Sequence, residues 1–273
     1  MTYRIIALDL DGTLLDHKKR ILPESLSALA QARAEGVKVI VVTGRHHVAI
    51  HPFYQALQLD TPAICCNGTY IYDYQNKKVL DSNPLTPQQA VQVLQLLEKT
   101  QIHGLMYVDD AMLYQQITGH VTRTLSWAES LPPAQRPTFL QVNSLLDAAH
   151  SATAIWKFAT SHPDTAQLKA FAARVEAEMG LACEWSWHDQ VDIAQAGNSK
   201  GKRLQQWVES QGLSMQEVIA FGDNFNDLSM LEAAGLGVAM GNSDDAIKQR
   251  ADLVITDNEQ PGIAAVIRQH VLA

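Results

Sequence analysis

The chain has 273 residues, 47% hydrophobic and 18% charged, a globular composition long enough for about two domains. Its 29 acidic side chains exceed the 21 basic ones, giving a net charge of −8. That balance speaks against a nucleic-acid binder and, at long range, repels an anionic substrate. No apolar run reaches the roughly 18 residues of a membrane span. The apolar stretch near the start is broken by Asp9 and Asp11, unlike a signal peptide. Three cysteines, two of them adjacent, make a poor disulfide framework and fit a reducing cytoplasm. No CxxC pair is present to hold zinc.

In chain order, residues 3–9 read as a short apolar strand ending in carboxylates. Pro23 opens a helix that runs to about Glu35, and Gly36 ends it. Residues 37–42 are nearly all apolar, the pattern of a strand buried on both faces. A helical stretch to about Leu57 and a strand at 63–66 follow. This alternation predicts an α/β fold with a parallel sheet. The pattern changes at Asn67-Gly68, a turn, and a hairpin is expected at 70–72 and 79–80. A helix with Ala90, Val93, Leu94 and Leu97 at helical spacing comes next. Strands are expected at 105–108, 139–142, 154–158 and 182–187, with a helix near 168–179. Their alternation suggests an antiparallel sheet covered by helices. From Val191 the first style resumes: a helix from Ser199, a strand at 218–221, a helix at 226–234, and short strands at 237–240 and 253–255. The expected organisation is one Rossmann-like core, residues 1–82 and 191–273, interrupted by an inserted α/β domain at 83–190.

In open α/β sheets ligands lie beyond the carboxyl ends of the strands. Four such ends carry distinctive residues: Asp9-Leu10-Asp11-Gly12-Thr13, Thr43-Gly44-Arg45, the helix start at Lys200, and Gly222-Asp223-Asn224-Phe225-Asn226-Asp227. Singly, each reads equally well as a turn, a helix cap or a solvated side chain. Jointly they form one chemistry. Asp9 and Asp11, one residue apart on extended chain, point the same way, and Asp223 adds a carboxylate from another strand end. Clustered carboxylates repel unless a cation joins them, and hard oxygen donors suit Mg²⁺. Thr43 offers a hydroxyl, Gly44 an approachable N–H and Lys200 a point charge, all phosphate-holding groups. A carboxylate left to attack phosphorus would form an aspartyl-phosphate.

These residues, in this order, resemble the haloacid dehalogenase superfamily of phosphotransferases over the whole chain. They are most similar to its Cof-type phosphatases, whose large α/β cap of the C2B type occupies the place of the insert. The resemblance implies Asp9 as nucleophile and Asp11 as general acid and then base, with its backbone carbonyl offered to Mg²⁺. It implies Asp223 as a metal ligand and Asp227 as a second carboxylate holding the metal's shell or Lys200. Thr43, Gly44, Lys200 and Asn226 would contact phosphate. The substrates implied are small phosphorylated metabolites, sugar phosphates and pyridoxal phosphate among them, with the insert as a lid selecting the leaving group. Two other readings stay open: a phosphomutase using the same aspartates, and a non-enzymatic sensor of a phosphorylated ligand. The sequence does not give the oligomeric state.

Some residues outside the motifs invite sharper readings. His46, His47 and His51 suggest zinc, but no HExxH is completed and cleft or surface side chains are the simpler reading. Arg45 is a candidate substrate contact. Asp109-Asp110 reads as a turn. Trp185 and Trp187 should share one strand face, either packed inside the insert or forming an aromatic wall for a flat substrate ring.

Overall fold

The computed structural model describes residues 3–272. The chain divides into two compact units. The first comprises the described residues up to Gly44, then Pro52–Asp81, then Ser199 onward; the second comprises Arg45–His51 and Ser82–Asn198.

The first unit is built on a five-stranded parallel sheet. Its spatial order is Leu253–Val254, Leu236–Ala239, Val218–Gly222, Ile5–Leu8, Lys38–Val41. The Ile5–Leu8 strand is interior to the sheet and wholly buried, which explains its unbroken apolar run. Its register matters for the site. Leu8 sits opposite both Phe221 and Val41. Three strands therefore end at one level, and the residues after them emerge side by side. The Pro23–Ala34 helix starts with proline in its first turn, and Gly36 follows it with φ +85°. The Lys200–Ser210 helix is capped by Ser199, whose hydroxyl accepts from the Lys202 N–H at 3.1 Å. Ile5, Val42, Leu204, Trp207, Val218 and Met230 belong to its core. Each such side chain, fully buried, contributes about 1.5–3 kcal/mol. A small sheet of Ala63–Cys65, Tyr70–Asp73 and Lys78–Ser82 includes the expected hairpin.

The second unit holds a six-stranded sheet in the order Ala182–Trp187, Gln190–Ala194, Ile155–Ser161, His103–Val108, Ala111–Tyr114, Phe139–Gln141. It is antiparallel as expected, except that its last pair is parallel. The Gln190–Ala194 strand belongs to this sheet, between two antiparallel neighbours. It alternates, with Val191 and Ile193 in the core of this unit and Asp192 paired with Lys157, the pattern of an antiparallel strand. The helices Pro87–Thr100 and Thr165–Met179 bury Val93, Leu97, Leu168, Phe171 and Val175 against Phe158. The first begins with a capping box between Thr86 and Gln89, the second with the Asp164 carboxylate on the Ala166 and Gln167 N–H groups. Among the described residues no helix is long and apolar enough to cross a membrane.

Candidate active site

Asp9 follows the Ile5–Leu8 strand directly, and its N–H continues the ladder to the Phe221 carbonyl at 3.1 Å. Its side chain is buried. Lys200, at the start of its helix, is buried too and donates to Asp9 Oδ1 at 2.7 Å and Asp227 Oδ1 at 2.6 Å. The helix reaches this depth because Gly201 has no side chain: a Cβ there would overlap the Ser229 carbonyl. Asp227 is fully buried, and its second oxygen accepts from the N–H groups of Asp223 at 2.9 Å and Asn224 at 3.0 Å. Both Asp227 oxygens are thus held by the protein. Asp223 Oδ1 accepts from the Thr13 hydroxyl at 2.8 Å. Gly12, with φ +85°, lies where any Cβ would overlap the Asp223 carboxylate, so the glycine after Asp11 is sterically required.

Oxygens of Asp9, Asp223 and Asp227 lie within 4.8 Å of one another. With all three ionised, these carboxylates against one ammonium leave two negative charges, which one divalent cation would balance. Burial raises Asp9 to about 7; Lys200 opposes this and Asp227 adds to it. Burial also lifts Asp223 well above the ordinary carboxylate range, with Asp9 and Asp227 adding to the shift. Burial works against the Lys200 ammonium, but Asp227 and Asp9 outweigh it and raise its pKa. The donor set is all oxygen and carries excess negative charge, so it fits a hard cation such as Mg²⁺. With Asp227 committed to Lys200 and two backbone N–H groups, Asp9 and Asp223 are the carboxylates with oxygens to offer. The Asp11 carboxylate is half-exposed, pairs with Lys19 at 2.7 Å, and stands outside the three-carboxylate group.

Thr43 lies just past the end of the neighbouring strand, with its N–H on the Ile64 carbonyl at 2.9 Å. A Cβ on Gly44 would come 2.9 Å from Asn67 Oδ1. Asn226 donates from Nδ2 to the same Asn67 oxygen at 3.1 Å. Asn67, read from sequence only as part of a turn, therefore sits among the site residues. Its signal was present in the Asn-Gly pair, whose left-handed backbone can serve a site as well as a hairpin.

Other candidates fall in the second unit. Arg45 lies over the Trp127 ring, 4.7 Å from its centroid. His46 is fully buried; its Nε2 is 2.9 Å from the Val108 carbonyl and its Nδ1 accepts from the Val48 N–H at 3.2 Å. Those bonds define a neutral imidazole, and burial pushes its pKa down to about 3. His47 pairs with Asp110 at 2.9 Å, and burial lowers it to about 4. Among the described residues no group of three potential metal ligands includes a histidine. Asp109 closes its turn by accepting from the N–H groups of Thr153 and Ala154. The shared face expected for Trp185 and Trp187 is corrected: a bulge between them shifts the register by one. Trp185 packs on the core of the second unit, while Trp187 is 61% exposed. They form no common wall.

A parallel sheet with clustered aspartates and a buried lysine at its carboxyl edge is an arrangement suited to metal-assisted chemistry on phosphate. A profile of the haloacid dehalogenase-like hydrolases matches residues 6–267, and the chain belongs to that family. It is 64% identical over 272 residues, the full length of both chains, to the pyridoxal phosphate phosphatase YbhA of Escherichia coli (strain K12). It is 29% identical, over 97% of each chain, to the 5-amino-6-(5-phospho-D-ribitylamino)uracil phosphatase YitU of Bacillus subtilis (strain 168). Among solved structures, a haloacid dehalogenase-like hydrolase from Bacteroides thetaiotaomicron superposes with a TM-score of 0.87 at 23% identity, covering 98% of this chain and 99% of that one. That likeness is one of fold. It matches the α/β architecture with a parallel core sheet and an inserted α/β region read from the sequence.

Proposed function

We propose that the chain hydrolyses pyridoxal phosphate, using Mg²⁺ and an aspartyl-phosphate on Asp9. The chain is a phosphatase. The observation that carries the reading is the buried Lys200 clasped by Asp9 and Asp227 beside Asp223. The 64% identity to a pyridoxal phosphate phosphatase supports the substrate. Three cysteines without a disulfide support a reducing cytoplasm.

Asp9, Asp223 and the Asp11 carbonyl would hold the cation, with Asp227 keeping Lys200 and the Asp223 loop in place. When bound, the cation neutralises charge on the carboxylates and the phosphoryl oxygens. Thr43, Gly44, Lys200 and Asn226 hold the phosphoryl group. A carboxylate oxygen of Asp9 attacks phosphorus in line as the bond to the leaving alcohol breaks. Asp11 gives its proton to that alcohol, and pyridoxal departs. Asp11 then takes a proton from water, whose oxygen attacks phosphorus. The bond to Asp9 breaks, inorganic phosphate leaves and both aspartates are restored. Most of the protein's contribution is positioning and charge neutralisation.

Phosphate release over a panel of phosphate esters, with Mg²⁺ and after chelation, tests this. The expected result is Mg²⁺-dependent release with the highest kcat/KM for pyridoxal phosphate. A hexose phosphate outperforming it would overturn the substrate. Phosphate appearing on another carbon of the sugar, with little released, would favour a mutase. Tight ligand binding without turnover of any ester would favour a sensor.

A further inference from the structure

Residues 66–68 form a short 3-10 turn with an unusual backbone. Cys66, Asn67 and Gly68 have φ of +49°, +56° and +89°. Three successive left-handed residues, two of them not glycine, persist only where their surroundings impose the conformation. The surroundings here do so. The N–H and hydroxyl of Thr69 both donate to the Cys66 carbonyl, at 3.1 and 2.8 Å. Arg203, buried on the Lys200 helix, donates from Nε to the Gly68 carbonyl at 2.9 Å.

The turn meets three motifs that are remote in sequence. The Asn67 N–H donates to the Thr43 carbonyl at 3.0 Å. Any Cβ on Gly68 would overlap the Ser199 carbonyl, so the turn lies directly on the start of the Lys200 helix. The Asn67 Oδ1 accepts from Asn226 Nδ2 and is packed against Gly44. The other amide atom of Asn226, Oδ1, is buried with no protein partner among the described residues. One N–H of the Asn226 amide is therefore held by Asn67, and the second N–H on the same nitrogen is the group able to donate to a phosphoryl oxygen, while Oδ1, an acceptor, suits a donor such as water.

We propose that Asn67 is a positioning residue for phosphoryl transfer, fixing the orientation of Asn226 and the placement of Thr43 and Gly44. This rests on the phosphate-binding roles given to those residues under Proposed function. Asn67 acts through its neighbours: its N–H sets the Thr43 carbonyl, and its side chain sets the Asn226 amide. A displacement near 1 Å in such groups can lower rate about 100-fold.

Asn67→Gly is the informative variant, since glycine keeps the left-handed backbone and removes only the amide. Asn67→Ser, which also tolerates a turn but does not reach Asn226, is the second. Two readouts are needed: kcat and KM for pyridoxal phosphate, and calorimetric affinity for inorganic phosphate with Mg²⁺ present. Thermal unfolding checks the fold. Both variants should lose about tenfold or more in phosphate affinity and in kcat/KM while unfolding cooperatively near the wild-type temperature. Asn67→Gly combined with Asn226→Ala should lose clearly less phosphate affinity than the product of the two single losses, because part of the Asn67 effect runs through the Asn226 amide. Wild-type phosphate affinity in Asn67→Gly, or losses that multiply in the double variant, would overturn the proposal. A wild-type protein that neither binds nor releases phosphate would instead overturn the phosphatase reading on which it rests.

Discussion

Each unit of the molecule buries a lysine against an aspartate, and the two pairs differ in their charge balance. In the second unit Lys157 meets Asp192 at 2.6 Å, both buried. The Asp192 carboxylate also accepts from Ser186 and Gln190, and the Lys157 ammonium lies 4.7 Å from the Tyr107 ring centroid. Both carboxylate oxygens of Asp192 are engaged. In the first unit Lys200 faces Asp9 and Asp227, with Asp223 beside them. That set has two negative charges in excess. A buried carboxylate with both oxygens engaged is complete as it stands; a cluster with negative charge in excess calls for a further cation.

The comparison is broken most directly by neutralising one carboxylate on each side. Asp9→Asn should lower phosphate release about 10⁴-fold or more with the fold retained, as expected where residues act as a unit. Near-wild-type turnover, with deamidation excluded by mass spectrometry, would remove Asp9 from the nucleophile role. Asp192→Asn leaves the Lys157 ammonium without its counter-charge in the interior. It should cost about 3–5 kcal/mol of stability in denaturant titration. A loss below 1 kcal/mol would show that the second pair is not the closed element described above.

A smaller, graded effect sharpens the contrast. His46 is neutral and doubly hydrogen-bonded when folded, with a pKa of about 3, against an ordinary value of 6.5. The unfolded chain therefore binds the extra proton first. Stability from this group is complete above pH 6.5 and is lost as pH falls toward 3, at up to about 1.4 kcal/mol per pH unit. His46→Gln should flatten the acid limb of the unfolding-midpoint profile. An unchanged slope would show that His46 does not set it.

Much of the site was legible because strand ends in an α/β sheet concentrate function. Asp9, Thr43 and Asp223 each follow an apolar run, and the matched register of Leu8, Val41 and Phe221 brings those ends level. Asn67 was read only as a turn because its partners, Gly44 and Asn226, are distant in sequence and touch it through a side chain. His46 and His47, adjacent to the phosphate motif in sequence, hydrogen-bond instead to Val108 and Asp110. The face shared by the two tryptophans was misread because one bulged residue reverses strand alternation. Two of the eight excess negative charges are concentrated at the three carboxylates around Lys200, where a bound cation would offset them.

The sequence by itself determined the α/β class and the four motif-bearing segments, with Asp9, Asp223, Asp227 and Lys200 among the residues that gather at one sheet edge. Apolar periodicity and strand-end chemistry are local properties, so they survive in the linear chain. The tertiary structure alone decided that both Asp227 oxygens are spent on Lys200 and the Asp223–Asn224 backbone. It also decided that Asn67 braces Thr43, Gly44 and Asn226. Those choices depend on which strands lie side by side, and the sheet order places segments 191 residues apart, Asp9 and Lys200, within one hydrogen bond.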